Sequence, residues 1–223
     1  MVIRELLADK SNYTAMGSRT IKYIVIHYTA NDGDTARGNC NYFSGPNRNA
    51  SAHYFVDGQE VWRSVRDGDK AWHCGGDAYF HPYARNTNAL GIELCSRIDA
   101  AGNYYFTPET VALAVELTRA KMAEYGVPVE NVIRHYDVTH KICPAPFVYN
   151  EAAWQDFKNK LTQTEEEEMQ KYQTIKDVPS WAQPTITKLV DNGALAGDGK
   201  GNIDVSEDFC RTMVVLDRLG KLD

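Results

Sequence analysis

The chain has 223 residues, 43% of them apolar and 24% charged, enough for one medium domain and a small second one. No apolar run approaches the ~20 residues needed to span a bilayer, so membrane insertion through a helix is excluded. The net charge is −6, with −1 on residues 1–160 and −5 on the remainder, and the absence of a basic patch argues against nucleic acid as a partner. The N-terminus MVIRELLADKSNYTAMGSRT lacks an apolar h-region, from which we expect synthesis in the cytoplasm without a signal peptide. IKYIVIHYTA (21–30) is a continuous apolar and β-branched run, predicted as a central strand buried on both faces. AHYFVDG and QEVWRSV predict a hairpin with Asp57-Gly58 at its turn, and ALGIELC (89–95) another short strand. TPETVALAVELTRAKMAEYG predicts a helix with Thr107 as N-cap, Pro108 at N1 and Gly126 just past its last turn. NVIRHY predicts a strand, and NEAAWQDFKNKL a helix capped by Asn150. Alternating strands and helices give an α/β domain with a mixed sheet flanked by helices over residues 1–160. The acidic run LTQTEEEEMQK marks a linker at 161–171. Residues 172–223 predict a small helical domain, its two helices capped by Ser180 and Ser206 and stopped by Gly193 and Gly220. DGKGNID within it bears a faint likeness to a calcium loop, without the ligand spacing or closing Glu of one.

Five cysteines at irregular spacing, with no CxxC pair, argue against a disulfide framework and a Cys-rich structural zinc site. A different metal constellation emerges. His27 ends the buried strand, where ligands gather in α/β sheets. His135 ends another predicted strand, and Cys143 follows eight residues later, close enough for YDVTHKI to loop out and return the thiol beside the imidazole. Two imidazoles and a thiolate suit zinc, with a fourth position open to water whose pKa the metal lowers to about 7. Taken singly, each of the three reads equally as structural: a lone buried Cys is usually a small hydrophobe, a lone His a satisfied core residue.

The motifs IKYIVIHYTAN, SAHYFVDG, AWHCGG, NALGIELC and RHYDVTHKICPAPF occur in this order, and over roughly Ile21 to Phe157 the chain resembles the zinc N-acetylmuramoyl-L-alanine amidases. That family includes amidase-type phage lysins and animal peptidoglycan recognition proteins. The resemblance implies zinc held by His27, His135 and Cys143, with Glu93 of the GIEL strand and Lys141 as catalytic groups. A carboxylate there can take a proton from the attacking water and deliver it to the leaving amine. An ammonium there can stabilise the developing oxyanion. Some relatives place a Tyr before the His of the second motif; this chain has Ala52, so the proton-handling role goes to Glu93. His73 matches a position near the substrate groove, His53 is a second candidate to line it, and Trp72 a candidate to stack on sugar. Cys95, two residues from Glu93 along a strand, is a rival ligand. Cys74 is not a ligand position, and His81 and His140 read as surface residues.

The implied activity is cleavage of the amide between N-acetylmuramic acid and the L-alanine of the stem peptide, with bacterial peptidoglycan as partner. Two alternatives are a peptidoglycan-binding protein without activity and an intracellular amidase that recycles wall fragments. The tail is similar to a small surface-layer-homology-like or lysin tail unit and is expected to serve wall attachment or self-association into a homodimer. A wall-directed amidase without a leader fits a phage or prophage endolysin that crosses the membrane through a holin.

Overall fold

Short strands at Ile3–Glu5 (β1) and Tyr13–Thr14 (β2) precede the apolar strand Tyr23–Tyr28 (β3). The chain continues through helix α1 (Ala36–Ser44), the hairpin of β4 (Tyr54–Val56) and β5 (Val61–Arg63), then β6 (Lys70–Ala71) and β7 (Ala89–Leu94). A second hairpin, β8 (Arg97–Ile98) and β9 (Tyr104–Tyr105), leads into helix α2 (Pro108–Tyr125). Strand β10 (Val132–Arg134) and helices α3 (His135–Thr139), α4 (Ala145–Val148) and α5 (Glu151–Thr162) follow. This computed structural model describes residues 1–162 and 171–222, which fall into two units, Met1–Thr162 and Gln163–Asp223. Most of the acidic run read as a linker, residues 163–170, lies outside the described residues.

Six strands form one sheet in the order β1-β5-β4-β7-β3-β10. All neighbours are parallel except the β4–β5 hairpin, which matches the expected mixed sheet. The period-2 alternation of strands divides their residues between two faces. Ile24, Ile26, Leu90, Ile92, Tyr54 and Val132 face one main core. Helices α2 and α5 cover that face with Leu117, Trp154 and Phe157. Odd-numbered neighbours point the other way: Val25 and Ile133 enter one smaller cluster, Phe55 another beside α1. His27 and Glu93 share that parity and so lie on the face opposite the main core.

The caps of α2 form as the sequence predicts. Thr107 accepts from the Thr110 amide, and Gly126 adopts the left-handed conformation at φ 64°. Asn150 accepts from the Ala153 amide at the start of α5. A buried ion pair pins α2: Lys121 donates to Asp67 at 2.7 Å, and Tyr54 and Tyr125 donate to the same carboxylate.

Two boundaries differ from expectation. β10 stops at Arg134, and His135 opens a short helix instead of ending the strand. Arg134 is the turning point, because Asp137 accepts from its backbone amide and fixes the first turn of α3. In the second unit, helix α6 (Gln183–Asp191) starts after Ala182; Ser180 lies in a preceding turn and is not its cap. Ser206 does cap helix α7 (Glu207–Arg218), accepting from the Phe209 amide. The second unit also holds a two-stranded antiparallel ladder, Lys171–Tyr172 with Val205–Ser206, which the helical reading missed. Its core gathers Tyr172, Val178, Ile186, Val205, Cys210 and Val214. In DGKGNID, Asp198 accepts from the amides of Lys200 and Asn202 and from the Asn202 side chain, so its oxygens are spent on closing the turn.

Candidate metal centre

Sheet register brings the distant motifs together. In the β3–β7 ladder His27 sits directly opposite Glu93. In the β3–β10 ladder Arg134 pairs with Ile26, so His135 follows at the level of His27. Three neighbouring parallel strands thus deliver His27, Glu93 and His135 in one row at their C-terminal ends, where open α/β sheets gather ligands. Cys143 returns to this row from the segment after α3, tied back by the bond from the Tyr136 amide to its carbonyl.

One donor atom each from His27, His135 and Cys143 lies within 4.8 Å of the others, and all three residues are buried. His27 Nδ1 is 3.6 Å from Cys143 Sγ and 4.0 Å from Glu93 Oε1. The other nitrogen of each imidazole is engaged. His135 Nε2 donates to the Gly75 carbonyl at 3.0 Å, which leaves Nδ1 as its free ring nitrogen. His73 Nε2 lies 3.3 Å from the Ala89 carbonyl and carries the proton, so His73 Nδ1 accepts from His27 Nε2 at 3.0 Å. That relay fixes the tautomer of His27 with its Nδ1 lone pair toward Cys143. His73 fits in place because residue 91 is glycine: a Cβ there would stand 2.6 Å from His73 Cγ.

A second donor set, His27, His73 and Cys74, is equally close-packed. The hydrogen bond between the two imidazoles accounts for that proximity. Cys143, His27 and His135 line a cleft of about 710 Å³, whereas Cys74 is sealed in an apolar cluster with Tyr23 and Val25. The open set is the one a substrate can reach.

Glu93 and Lys141 also line the cleft. Burial pushes the Glu93 carboxyl up to about 8, against the pull of the Lys141 ammonium. Glu93 Oε2 is buried with no hydrogen-bond partner among the described residues. Burial lowers the imidazoles of His27, His53, His73 and His135, the last two to about 3 and about 4. These groups are neutral in the native protein near pH 7, as metal ligands must be. The unfolded chain, with imidazoles near 6.5, binds more protons than the native one as pH falls below that value. The metal-free protein is therefore expected to lose about 2 kcal/mol per buried imidazole by about pH 5. Glu93 works in the opposite sense, its contribution being lost as pH rises toward 8, and offsets about one imidazole. The measurement is the urea midpoint in chelator at pH 7 and pH 5; an equal or higher midpoint in acid would refute the balance.

The remaining candidates separate clearly. Trp72 lines the cleft, its indole N–H donating to Thr14 Oγ1 at 3.0 Å. His73 lines it and orients His27. His53 is fully buried, is not among the cleft-lining residues, and accepts from the Gly91 amide through Nδ1. Cys95 sits in the apolar cluster of Ala36, Cys40 and Phe55 and joins neither donor set. His140 is exposed and stacks on Phe80 at 3.6 Å, while His81, half-buried, accepts from the Ala84 amide. Sequence reasoning missed the α1 wall of the cleft, where Asp34 and Asn39 are joined by a 2.7 Å hydrogen bond. The signal for it was Thr35, which accepts from the Gly38 amide as N-cap of α1.

Known proteins resemble this chain in sequence and in fold. Residues 17–146 match the family described as N-acetylmuramoyl-L-alanine amidase (Amidase_2). The amidase BlyA of Bacillus subtilis (strain 168) is 32% identical over 209 residues, covering 87% of this chain and 54% of its own. The amidase CwlL of Bacillus licheniformis is 34% identical over 163 residues, covering 68% and 44%. Among solved structures, the catalytic domain of XlyA superposes with a TM-score of 0.61 at 26% identity, covering 72% of this chain and 99% of that one. PlyL gives 0.62 at 28% identity, covering 73% and 98%. The chain spans about half the length of the curated relatives it matches. With more than half its length inside the matched family and its fold shared with these domains, the chain belongs to the N-acetylmuramoyl-L-alanine amidase family.

Proposed function

We propose that this protein hydrolyses the amide joining the lactyl carbonyl of N-acetylmuramic acid to L-alanine in bacterial peptidoglycan, with zinc as its metal. The observation that carries this reading is the buried His27, His135 and Cys143 set opening into a cleft beside Glu93 and Lys141. The donors fit zinc: two neutral imidazoles and a thiol converge, both imidazoles have their Nε2 atoms engaged, and three ligands leave a position free. Zinc bound there supplies Lewis acidity toward the scissile carbonyl and acidifies a water. Glu93 holds and moves the proton. Its unpartnered Oε2 is free to accept from the attacking water, and the burial that raises its proton affinity lets it hold that proton for the departing amine. Lys141, at the exposed side of the cleft, sends positive charge toward Glu93 and His27 and is placed to offset charge developing on the carbonyl oxygen.

The relatives support a wall-directed role, one structural neighbour being a mutant endolysin from Bacillus subtilis (26% identical, TM-score 0.60). We read the present chain as an endolysin-type lysin reaching the wall through a holin. No helix among the described residues is long and apolar enough to cross a membrane. The first unit carries the chemistry in this reading, and the second is a wall-attachment or self-association module. The match to BlyA, at 87% of this chain, extends past the first unit and supports treating the tail as part of a shared design. Mass spectrometry of digested sacculi tests the reaction: free N-terminal L-alanine beside intact muramic acid is expected, and glycosidic or peptide cuts alone would refute it. Removal of residues 163–223 should weaken sacculus binding; unchanged binding and mass in solution would remove both roles of the tail.

A further inference from the structure

A second cleft, of about 490 Å³, lies between the β8–β9 hairpin and the α4–α5 corner. Aromatic and amide side chains dominate its rim: Tyr104, Tyr105 and Tyr149, with Asn103 and Asn150. Tyr149 is 79% exposed and Tyr105 43%, large rings held in solvent with no core to fill. The floor is rigid, with Phe106 packed edge-on against buried Phe147 at 5.2 Å.

This cleft shares a wall with the catalytic one. Tyr28, which lines the first, packs edge-on against Tyr104 of the second at 5.2 Å. Tyr104 Oη donates to the carbonyl of Ala30, another residue of the first. Ala145 and Pro146 of the second cleft follow Cys143 of the first by two and three residues. A chain-like substrate reacting beside Glu93 in the first cleft therefore has a continuous surface on which to extend past the Tyr28–Tyr104 pair.

Charge divides the two clefts. Asp34, Glu93 and Lys141 line the first, whereas no residue lining the second is ionisable as an acid or base in the neutral range. The proposed substrate is divided in the same way at its scissile amide. Its stem peptide carries carboxylates and amines, which call for charged and polar partners. Its glycan offers flat pyranose faces rich in C–H groups, together with hydroxyls and N-acetyl amides. Aromatic faces bury the former and side-chain amides pair with the latter. We propose that the second cleft is a glycan subsite, taking the sugars that flank the reacting muramic acid, with Tyr149 and Tyr105 as its stacking platforms. This rests on the amidase reading and assigns the polarity of the substrate across the site: peptide toward α1, sugar chain toward β9 and α4.

The test uses the full chain and peptide-stripped glycan strands of alternating N-acetylglucosamine and N-acetylmuramic acid. Wild-type protein is expected to bind them, Tyr149→Ala and Tyr105→Ala to bind about tenfold more weakly, and Tyr149→Phe, which keeps the ring, to bind within about twofold of wild type. In hydrolysis, Tyr149→Ala should raise KM on uncrosslinked strands bearing stem peptides much more than on a muramoyl dipeptide with a single sugar. No strand binding by wild type, undiminished binding by both alanine variants, or equal losses on the two substrates would overturn the subsite. Wild type that binds strands but leaves the muramoyl–alanine bond intact would overturn the amidase reading and not the subsite.

Discussion

Replacing Glu93 by Gln is expected to lower the hydrolytic rate by about 10²–10⁴, the usual contribution of a positioned acid–base group. Gln keeps the shape of the side chain and its place opposite His27 in the β3–β7 ladder, so fold and metal content should be unchanged. It has no carboxylate to accept a proton and no acid to return it. The sheet buries Glu93 on a face where nothing among the described residues satisfies Oε2, a costly arrangement unless a substrate or water completes it. The same burial that raises its proton affinity fits it to cycle near neutral pH. Turnover is measured by release of free L-alanine amine from sacculi, with metal analysis alongside. A Gln variant as fast as wild type, with its metal bound, would remove Glu93 from the chemistry.

Cys143→Ser is expected to abolish hydrolysis and strip the purified protein of zinc, from about one ion per chain to a small fraction. The change is nearly isosteric, and only the soft thiolate donor is lost. The decisive comparison is Cys74→Ser, because Cys74 belongs to the competing donor set built on the same His27. His27 uses Nε2 toward His73 and Nδ1 toward Cys143, and the His73–Ala89 hydrogen bond commits the proton to the Nε2 side. Cys74→Ser should therefore keep its zinc and its activity. The reverse pattern, with metal lost from the Cys74 variant and kept by the Cys143 variant, would move the metal to the sealed side of His27.

The sequence made the ends of the site legible and hid its connections. The apolar run through Ile24 and Ile26, and the Thr107 and Gly126 caps of α2, are local signals that tertiary packing does not override. The histidine, carboxylate and thiol motifs are likewise local. What joins them is register, a pairing between residues 27 and 93 that no window of sequence contains. His73 lines the groove as read, but its second role, the hydrogen bond to His27, was hidden because the two lie 46 positions apart. Helix α1 was missed because its apolar stripe is thin, only Ala36, Cys40 and Phe43, and is interrupted by Gly38 and polar residues. β1 was missed for another reason: three exposed residues become a strand only because β5 offers an edge to pair with. His135 was placed in the strand it follows because one residue's boundary depends on Asp137 capping the Arg134 amide.

The row of His27, Glu93 and His135 has a further meaning in terms of scale. Adjacent strands in any sheet are spaced about 4.8 Å apart by the length of the peptide hydrogen bond. Side chains rooted at matching levels on neighbouring strands begin one such interval apart, and the two imidazoles need only lean together to converge, with the thiol, within 4.8 Å. The interval between His27 and Glu93 on their paired strands is thus set by backbone chemistry, like marks on a ruler. Side-chain substitutions elsewhere on these strands can change how firmly the ruler is held, but they cannot rescale it.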